Sequence, residues 1–145
     1  MKRFFENQMK LLLLFAAAGL FVFACEHEKS VNAPANGGDN PLDPTFSNIQ
    51  STILSRKCAV PGCHAGSSPS GGLNLSAGQA YGNLVNVNSN YGVARITPND
   101  PGNSVLYQKV IGNNQFGSKM PLGGSLSQTE MDLILAWINA GAPNN

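Results

Sequence analysis

The feature that most limits what this chain can fold into is a short loop that holds two cysteines and a histidine. Four residues separate Cys58 from Cys63, and His64 follows the second cysteine directly. A small domain with a thin apolar core often depends on a disulfide, a metal ion or a cofactor for part of its stability. A cysteine pair beside a histidine can serve any of these purposes, so we expect the domain to be built around this loop.

The N-terminus predicts export from the cytoplasm. Lys2, Arg3 and Lys10 form a basic head, and residues 11–24 are an unbroken apolar run of 14 residues. The run is shorter than the roughly 20 residues that a membrane-spanning helix needs. It matches the apolar segment of a secretory signal peptide, with an uncleaved anchor helix as the alternative.

The end of this run, Val22 to Cys25, resembles the lipobox of bacterial lipoproteins, in which apolar and small residues precede a cysteine. The resemblance implies that residues 1–24 are a lipoprotein signal peptide, that cleavage occurs before Cys25, and that Cys25 carries the lipid. The protein would then be anchored on the extracytoplasmic side of the bacterial cell envelope, in the periplasm or at the outer membrane. Acyl chains hold a protein at a membrane without spanning it.

The remaining sequence predicts a tether followed by one small domain. Residues 25–44 have few apolar side chains and many Pro, Gly and Asn, which is typical of a flexible spacer. Residues 45–145 are expected to fold. From Cys25 onward, six basic and seven acidic residues leave a net charge near −1. This balance predicts no nucleic-acid partner, because such proteins carry a basic patch or stripe.

Apolar spacing predicts a mainly helical domain. The first helical series ends just before the cysteine loop and consists of Phe46, Ile49, Ile53 and Leu54. Thr45 or Ser47 is its expected cap. Further helices are predicted after Ser76 and after Asn103 or Ser104, with two short extended pieces around an Asn/Gly-rich turn at residues 84–96.

The last helix has the clearest signals. Ser127 and Glu130 form a capping-box pattern, and Gly141 and Pro143 stop the helix. Its predicted apolar face consists of Met131, Ile134, Leu135 and Ile138. Trp137 is predicted to flank that face.

The cysteine loop allows three chemistries outside the cytoplasm, where thiols meet oxidants. The pair could form a disulfide, bind a metal, or form thioether bonds to haem while His64 ligates the iron. The usual haem-attachment spacing is C-x-x-C-H, two residues shorter than this loop. Pro61 and Gly62 favour a turn that lets the longer loop bulge outward. Zinc usually takes four ligands, and the chain offers few others, so haem and the disulfide remain the main alternatives.

Met120 favours haem over the disulfide. It lies in a glycine-rich polar loop and is followed by Pro121, a place where core packing does not explain a methionine. Methionine is a common second axial ligand of haem iron and raises its reduction potential. Met131, by contrast, fits ordinary packing on the apolar face of the last helix.

Together these segments resemble a class I cytochrome c domain of the divergent bacterial type that has a C-x4-C-H haem loop. The matching segments cover about residues 46–143 and are CAVPGCH, LNLSAGQAYGNLV, RITPNDPGNSVLYQKV and KMPLGGSLSQTEMDLILAWINAGAP. The resemblance implies an all-α fold, a small helical domain around one covalent haem c, with a short β-hairpin as the one exception. It also implies thioether bonds at Cys58 and Cys63, His64 as the proximal iron ligand and Met120 as the distal one.

The resemblance extends these expectations to the walls of the haem pocket. The first and last helices would cross beside the haem, in contact through Phe46, Ile49, Leu135 and Ile138. Arg95 is a candidate to bind a haem propionate, and an ordinary surface arginine explains it at least as well. The aromatic candidates, which fit the pocket wall or ordinary core equally well, are Tyr81, Phe116 and Trp137.

The implied function is single-electron transfer outside the cytoplasm by a membrane-tethered monohaem cytochrome. With both axial positions filled, no enzymatic activity is expected; the partners would be redox proteins met transiently by a monomer. Two alternatives remain open. One is an extracytoplasmic lipoprotein binding module with a Cys58–Cys63 disulfide and no haem. The other is a haem-based sensor in which Met120 does not bind the iron.

Overall fold

The computed structural model describes residues 43–145, so the predicted signal peptide, the lipid-bearing Cys25 and nearly all of the tether lie outside the described residues. Its α-helices are α1 (Phe46–Ile49), α2 (Ala80–Leu84), α3 (Val105–Ile111) and α4 (Gln128–Asn139). A π-helical segment, Gln50–Cys58, continues α1, and single 3-10 turns occur at Ser70–Gly72 and Asn114–Phe116. Residues 43–145 contain isolated bridges but no strand, which fits the predicted all-α class. None of the helices in this range is long and apolar enough to cross a membrane.

The predicted β-hairpin is present only as a reversal of the chain. The Ser89 N–H donates to the Val93 carbonyl at 2.8 Å, and the Arg95 N–H donates to the Val87 carbonyl at 2.7 Å. The pairing does not extend into strands because Asn86 takes a φ of 59°, which interrupts the extended backbone. Asn and Gly are also poor strand formers, and they make up four of the thirteen residues 84–96.

Helix α1 begins as predicted and receives a second cap from the end of the chain. The Thr45 hydroxyl accepts from the Asn48 N–H at 3.2 Å. The Phe46 N–H donates to Asn145 Oδ1 at 2.9 Å, and the Ser47 N–H donates to the Asn145 carbonyl at 2.8 Å. These bonds satisfy N–H groups that have no partner inside the first turn of a helix. They fix the start of the helical stretch that ends at the first cysteine of the loop.

Helix α4 confirms the predicted capping box but buries a different face. The Ser127 hydroxyl accepts from the Glu130 N–H at 3.2 Å, and the Glu130 carboxylate accepts from the Ser127 N–H at 2.7 Å. The buried side chains of α4 are Leu133, Ile134, Trp137 and Ile138. Trp137 was predicted to flank the face, yet it is only 1% exposed. Its indole N–H donates to the Pro143 carbonyl at 2.9 Å, so the returning tail supplies the polar partner that a buried tryptophan needs.

The first and last helices meet through aromatic rings. The Phe46 ring lies 5.5 Å from the ring of Trp137 and 5.1 Å, edge-on, from that of Tyr81. Leu135, which was expected at this contact, is only half-buried. The rest of the core is a single cluster of aliphatic side chains that includes Ile49, Ile53, Leu54, Leu84, Ile96, Ile134 and Ile138.

Candidate functional site

A cavity of about 280 Å³ lies at the end of the π-helical segment and is open to solvent on one side. Cys58, His64 and Met120 all line it, so the structure brings together three of the four residues predicted to bind a cofactor. The other lining residues, mostly apolar in the surface they present, are Ser70, Gly71, Leu73, Leu75, Ser89, Asn90, Tyr91, Arg95, Val105, Leu106, Lys109 and Val110. A mainly apolar pocket with a few convergent polar groups is the usual form of a ligand site.

The long cysteine loop is accommodated by a tight turn. The Cys63 N–H donates to the Val60 carbonyl at 3.0 Å, and Gly62 has a φ of 80°. Proline followed by a glycine of positive φ is the pattern of a type II turn. The His64 N–H then donates to the Cys58 carbonyl at 3.1 Å, which closes the loop. Pro61 and Gly62 are exposed, so the extra residues bulge outward, as their sequence predicted.

The two cysteines of the loop differ in environment. Both are free thiols; Cys58 is half-buried and Cys63 is exposed. Cys63 is not among the cavity-lining residues, in contrast to its chain neighbour His64. Burial, and to a smaller extent the negative charge of Glu130, raises the pKa of the Cys58 thiol to about 11. At neutral pH the Cys58 sulfur is therefore a protonated thiol against an apolar wall.

The imidazole of His64 is held by two backbone carbonyls. Its Nδ1 lies 3.1 Å from the Ser70 carbonyl oxygen and 3.2 Å from that of Leu73. Because both neighbours are acceptors, Nδ1 is the ring nitrogen that carries a hydrogen here, and Nε2 is the ring nitrogen that neither carbonyl occupies. Metal-binding histidines usually donate their other ring N–H in this way, which fixes the tautomer and the orientation of the ring. The two carbonyls therefore fix the orientation of the His64 ring and leave Nε2 as the nitrogen that a metal could use.

Met120 reaches the cavity from a different part of the chain. It is half-buried, and its N–H donates to the carbonyl of Lys109 in α3 at 3.0 Å. This hydrogen bond therefore attaches the loop that carries Met120 to α3. A thioether is a soft ligand of the kind that binds haem iron. Met120 lines the same cavity as His64, and its role as an iron ligand stays a prediction.

The Lys and Arg side chains in the lining of the cavity give it a cationic character. Arg95 and Lys109 line it, and none of its lining residues within the described part of the chain is acidic. The Arg95 Nη1 donates to the Asn83 carbonyl at 2.9 Å, which holds that guanidinium in place. The charge of the lining favours a ligand that carries negative charge.

The sequence left the cavity wall and the core open for three aromatic side chains, and the structure favours the core. Tyr81, Phe116 and Trp137 do not line the cavity; Tyr91 does. The Tyr81 hydroxyl donates to the Ala142 carbonyl at 3.0 Å, so this ring belongs to the core. Tyr91 is 48% exposed and packs edge-on against Phe116 at 5.5 Å. The one signal that pointed to Tyr91 was an aromatic residue inside an otherwise polar turn.

Neither clusters of metal-binding side chains nor similarity to known proteins adds to the description of this cavity. Across residues 43–145, no group of three or more His, Cys, Asp or Glu side chains is placed to hold a metal ion. No protein-family model, curated protein or solved structure matches this chain. The chemistry of the cavity is therefore inferred from its own residues.

Proposed function

We propose that this protein is a membrane-tethered monohaem c-type cytochrome that transfers single electrons outside the cytoplasm. The observation that carries the proposal is the cavity that gathers Cys58, His64 and Met120 while two carbonyls hold His64 with Nε2 available. Cys58 would form a thioether bond, His64 would give the nitrogen ligand and Met120 the sulfur ligand. Cys63 would form the second thioether bond from the exposed end of the loop.

The cavity suits a flat, mostly apolar group with negative charge at one edge. Leu73, Leu106 and Val110 give apolar walls, and Arg95 and Lys109 give two cations. Bound haem supplies a one-electron iron couple, and the protein supplies ligands, burial and anchoring. The open side of the cavity would leave one edge of the group near solvent, where redox partners make small, transient contacts.

The two ligands decide between electron transfer and catalysis. If His64 and Met120 both bind, no iron position remains for a substrate, so the proposed protein is a carrier and not an enzyme. A methionine ligand raises the reduction potential, which favours accepting electrons from mild donors. The lipid proposed at Cys25 would keep this monomeric domain beside membrane-bound partners in the cell envelope.

The proposal is tested with the full chain, produced in a bacterium that has haem-attachment machinery. Membrane fractions are separated on a denaturing gel and stained for haem. We expect a stained band for the wild-type protein, its loss in Cys58→Ser, and little holoprotein in His64→Ala. A colourless wild-type protein in which Cys58 and Cys63 are joined would refute the proposal and favour the binding module.

The role of Met120 is tested in the same preparation by Met120→Leu, with Met131→Leu as the matched control. Met120→Leu should keep covalent haem, lose the weak sulfur-to-iron absorption band and show a lower reduction potential. Met131 packs against the core, so its replacement should leave the band intact. Rapid carbon monoxide binding by the reduced wild-type protein would instead favour the haem-based sensor.

A further inference from the structure

Lys109 contacts the loop of Met120 through both its backbone and its side chain. Its carbonyl accepts from the Met120 N–H at 3.0 Å. Its ammonium donates to the Phe116 carbonyl at 2.6 Å and to the Ser118 carbonyl at 3.3 Å. One lysine of α3 therefore binds the loop at three successive points that lead up to the methionine.

The same ammonium reaches the opposite rim residue, Tyr91. Lys109 Nζ lies 5.4 Å from the centre of the Tyr91 ring and 3.5 Å from its hydroxyl. Gly117 passes so close that a Cβ there would lie 3.1 Å from the Tyr91 hydroxyl and 3.9 Å from the ammonium. Its φ of 76° also favours glycine. The loop is thus closed tightly around the head of Lys109.

Apart from the hydrogen bonds that Asn113 makes to Gln108 at the start of the loop, few other contacts hold this loop. Within residues 112–124, Phe116 is the only buried side chain, and most of the remainder is glycine or polar. Exposed segments with few apolar contacts open at low free energy. Hydrogen bonds from a charged donor are stronger than neutral ones, so the Lys109 ammonium should account for much of the order of the loop.

We infer that Lys109 is the positioning residue for Met120: its ammonium holds the loop closed and so sets the fraction of molecules in which the methionine sulfur reaches the iron. The iron-binding part of this inference rests on the proposed function. The contact between Lys109 and the loop does not, because it is made by the protein alone. The two parts can therefore be measured separately.

The test compares Lys109→Leu with Lys109→Arg and with Lys119→Leu in the full-length holoprotein. Lys119 is an exposed lysine of the same loop. Its replacement removes the same charge but keeps the Lys109 hydrogen bonds to the Phe116 and Ser118 carbonyls. For Lys109→Leu we expect a weaker sulfur-to-iron band and about a tenfold faster initial binding of carbon monoxide, in line with the loss of charged hydrogen bonds. Lys109→Arg should restore part of the band, and Lys119→Leu should match the wild type.

Amide hydrogen exchange of Met120 gives a readout that needs no haem. Its N–H is bonded to the Lys109 backbone, so faster exchange in Lys109→Leu would report opening of the loop. Unchanged exchange, or an unchanged band in a variant that carries haem, would overturn the inference. Absence of covalent haem from the wild type would instead refute the proposed function, and exchange alone would then decide the role of Lys109. If Lys109→Leu does not fold, Lys109→Gln gives the same comparison.

Discussion

Glu130 connects the start of α4 to the residue before Cys58, so its replacement tests how the last helix is attached to the cysteine loop. Its carboxylate accepts from Lys57 Nζ at 2.7 and 2.8 Å and from the Ser127 N–H at 2.7 Å. Partial burial alone would raise the pKa of Glu130, but the hydrogen bonds from Lys57 and Ser127 outweigh it and lower that pKa. The carboxylate is therefore charged in the folded protein.

The structure sets the size of the effect. The side chains of Lys57 and Glu130 are 36% and 21% exposed, so water screens the ion pair and its contribution is about 0.5–1 kcal/mol. Glu130→Gln removes the charge but keeps an acceptor for the Ser127 N–H, because glutamine also completes a capping box. Glu130→Ala removes the acceptor too and should cost about 1 kcal/mol more.

The assay is urea unfolding followed by circular dichroism, at neutral pH and at pH 3. A pKa that is lower in the folded state stabilises the fold above the ordinary pKa of 4.5, and this stability is lost as the pH falls through the folded value. The gap between wild type and Glu130→Gln should therefore be smaller at pH 3 than at neutral pH. Asp132→Asn, an exposed change two residues further along α4, should show little difference at either pH. An equal gap for Glu130→Gln at both pH values would refute the ion-pair reasoning.

Two further predictions concern Ser104 and the Cys58 thiol. Ser104 is fully buried and accepts from the Thr97 N–H at 2.9 Å, so Ser104→Ala should lower the free energy of unfolding by about 1–3 kcal/mol; urea unfolding beside the exposed control Ser125→Ala checks this, and an equal effect of the two would contradict it. In protein produced without haem, the raised pKa of Cys58 should make it react with an alkylating reagent at pH 8 on the order of a hundredfold more slowly than an ordinary thiol. Mass spectrometry of the peptides compares it with exposed Cys63, and similar rates would show that Cys58 is not desolvated.

The features that could be predicted from the sequence depend on residues close together in the chain. The capping box needs only Ser127 and Glu130, and the outward turn of the cysteine loop needs only Pro61 and Gly62. Each is a local rule of backbone geometry or hydrogen bonding, so spacing and residue type suffice. The start of α1 at Thr45 was predictable for the same reason.

The features that could not be predicted depend on contacts between distant segments. Trp137 is buried because the tail returns and offers the Pro143 carbonyl, which helical periodicity does not encode. Tyr91 lines the cavity because Lys109 and Phe116 hold its ring, and those residues lie in later segments. The motif also places Cys63 beside His64 in sequence without deciding which side of the loop its thiol faces.

The groups proposed to bind haem are oriented mainly by polar contacts at the edge of the core. Cys58 packs against the core cluster, but His64 is held by carbonyls and Met120 by its bond to Lys109. Breaking buried contacts away from the cavity, such as the hydrogen bonds of Ser104, should lower the free energy of unfolding. Breaking the polar contacts of the proposed ligands should lower the fraction of molecules with both ligands in place. Across Ser104→Ala and Lys109→Leu these two quantities should therefore vary independently. The fold of this domain can therefore stay the same while opening of a single exposed loop changes the fraction of molecules in which Met120 binds the iron.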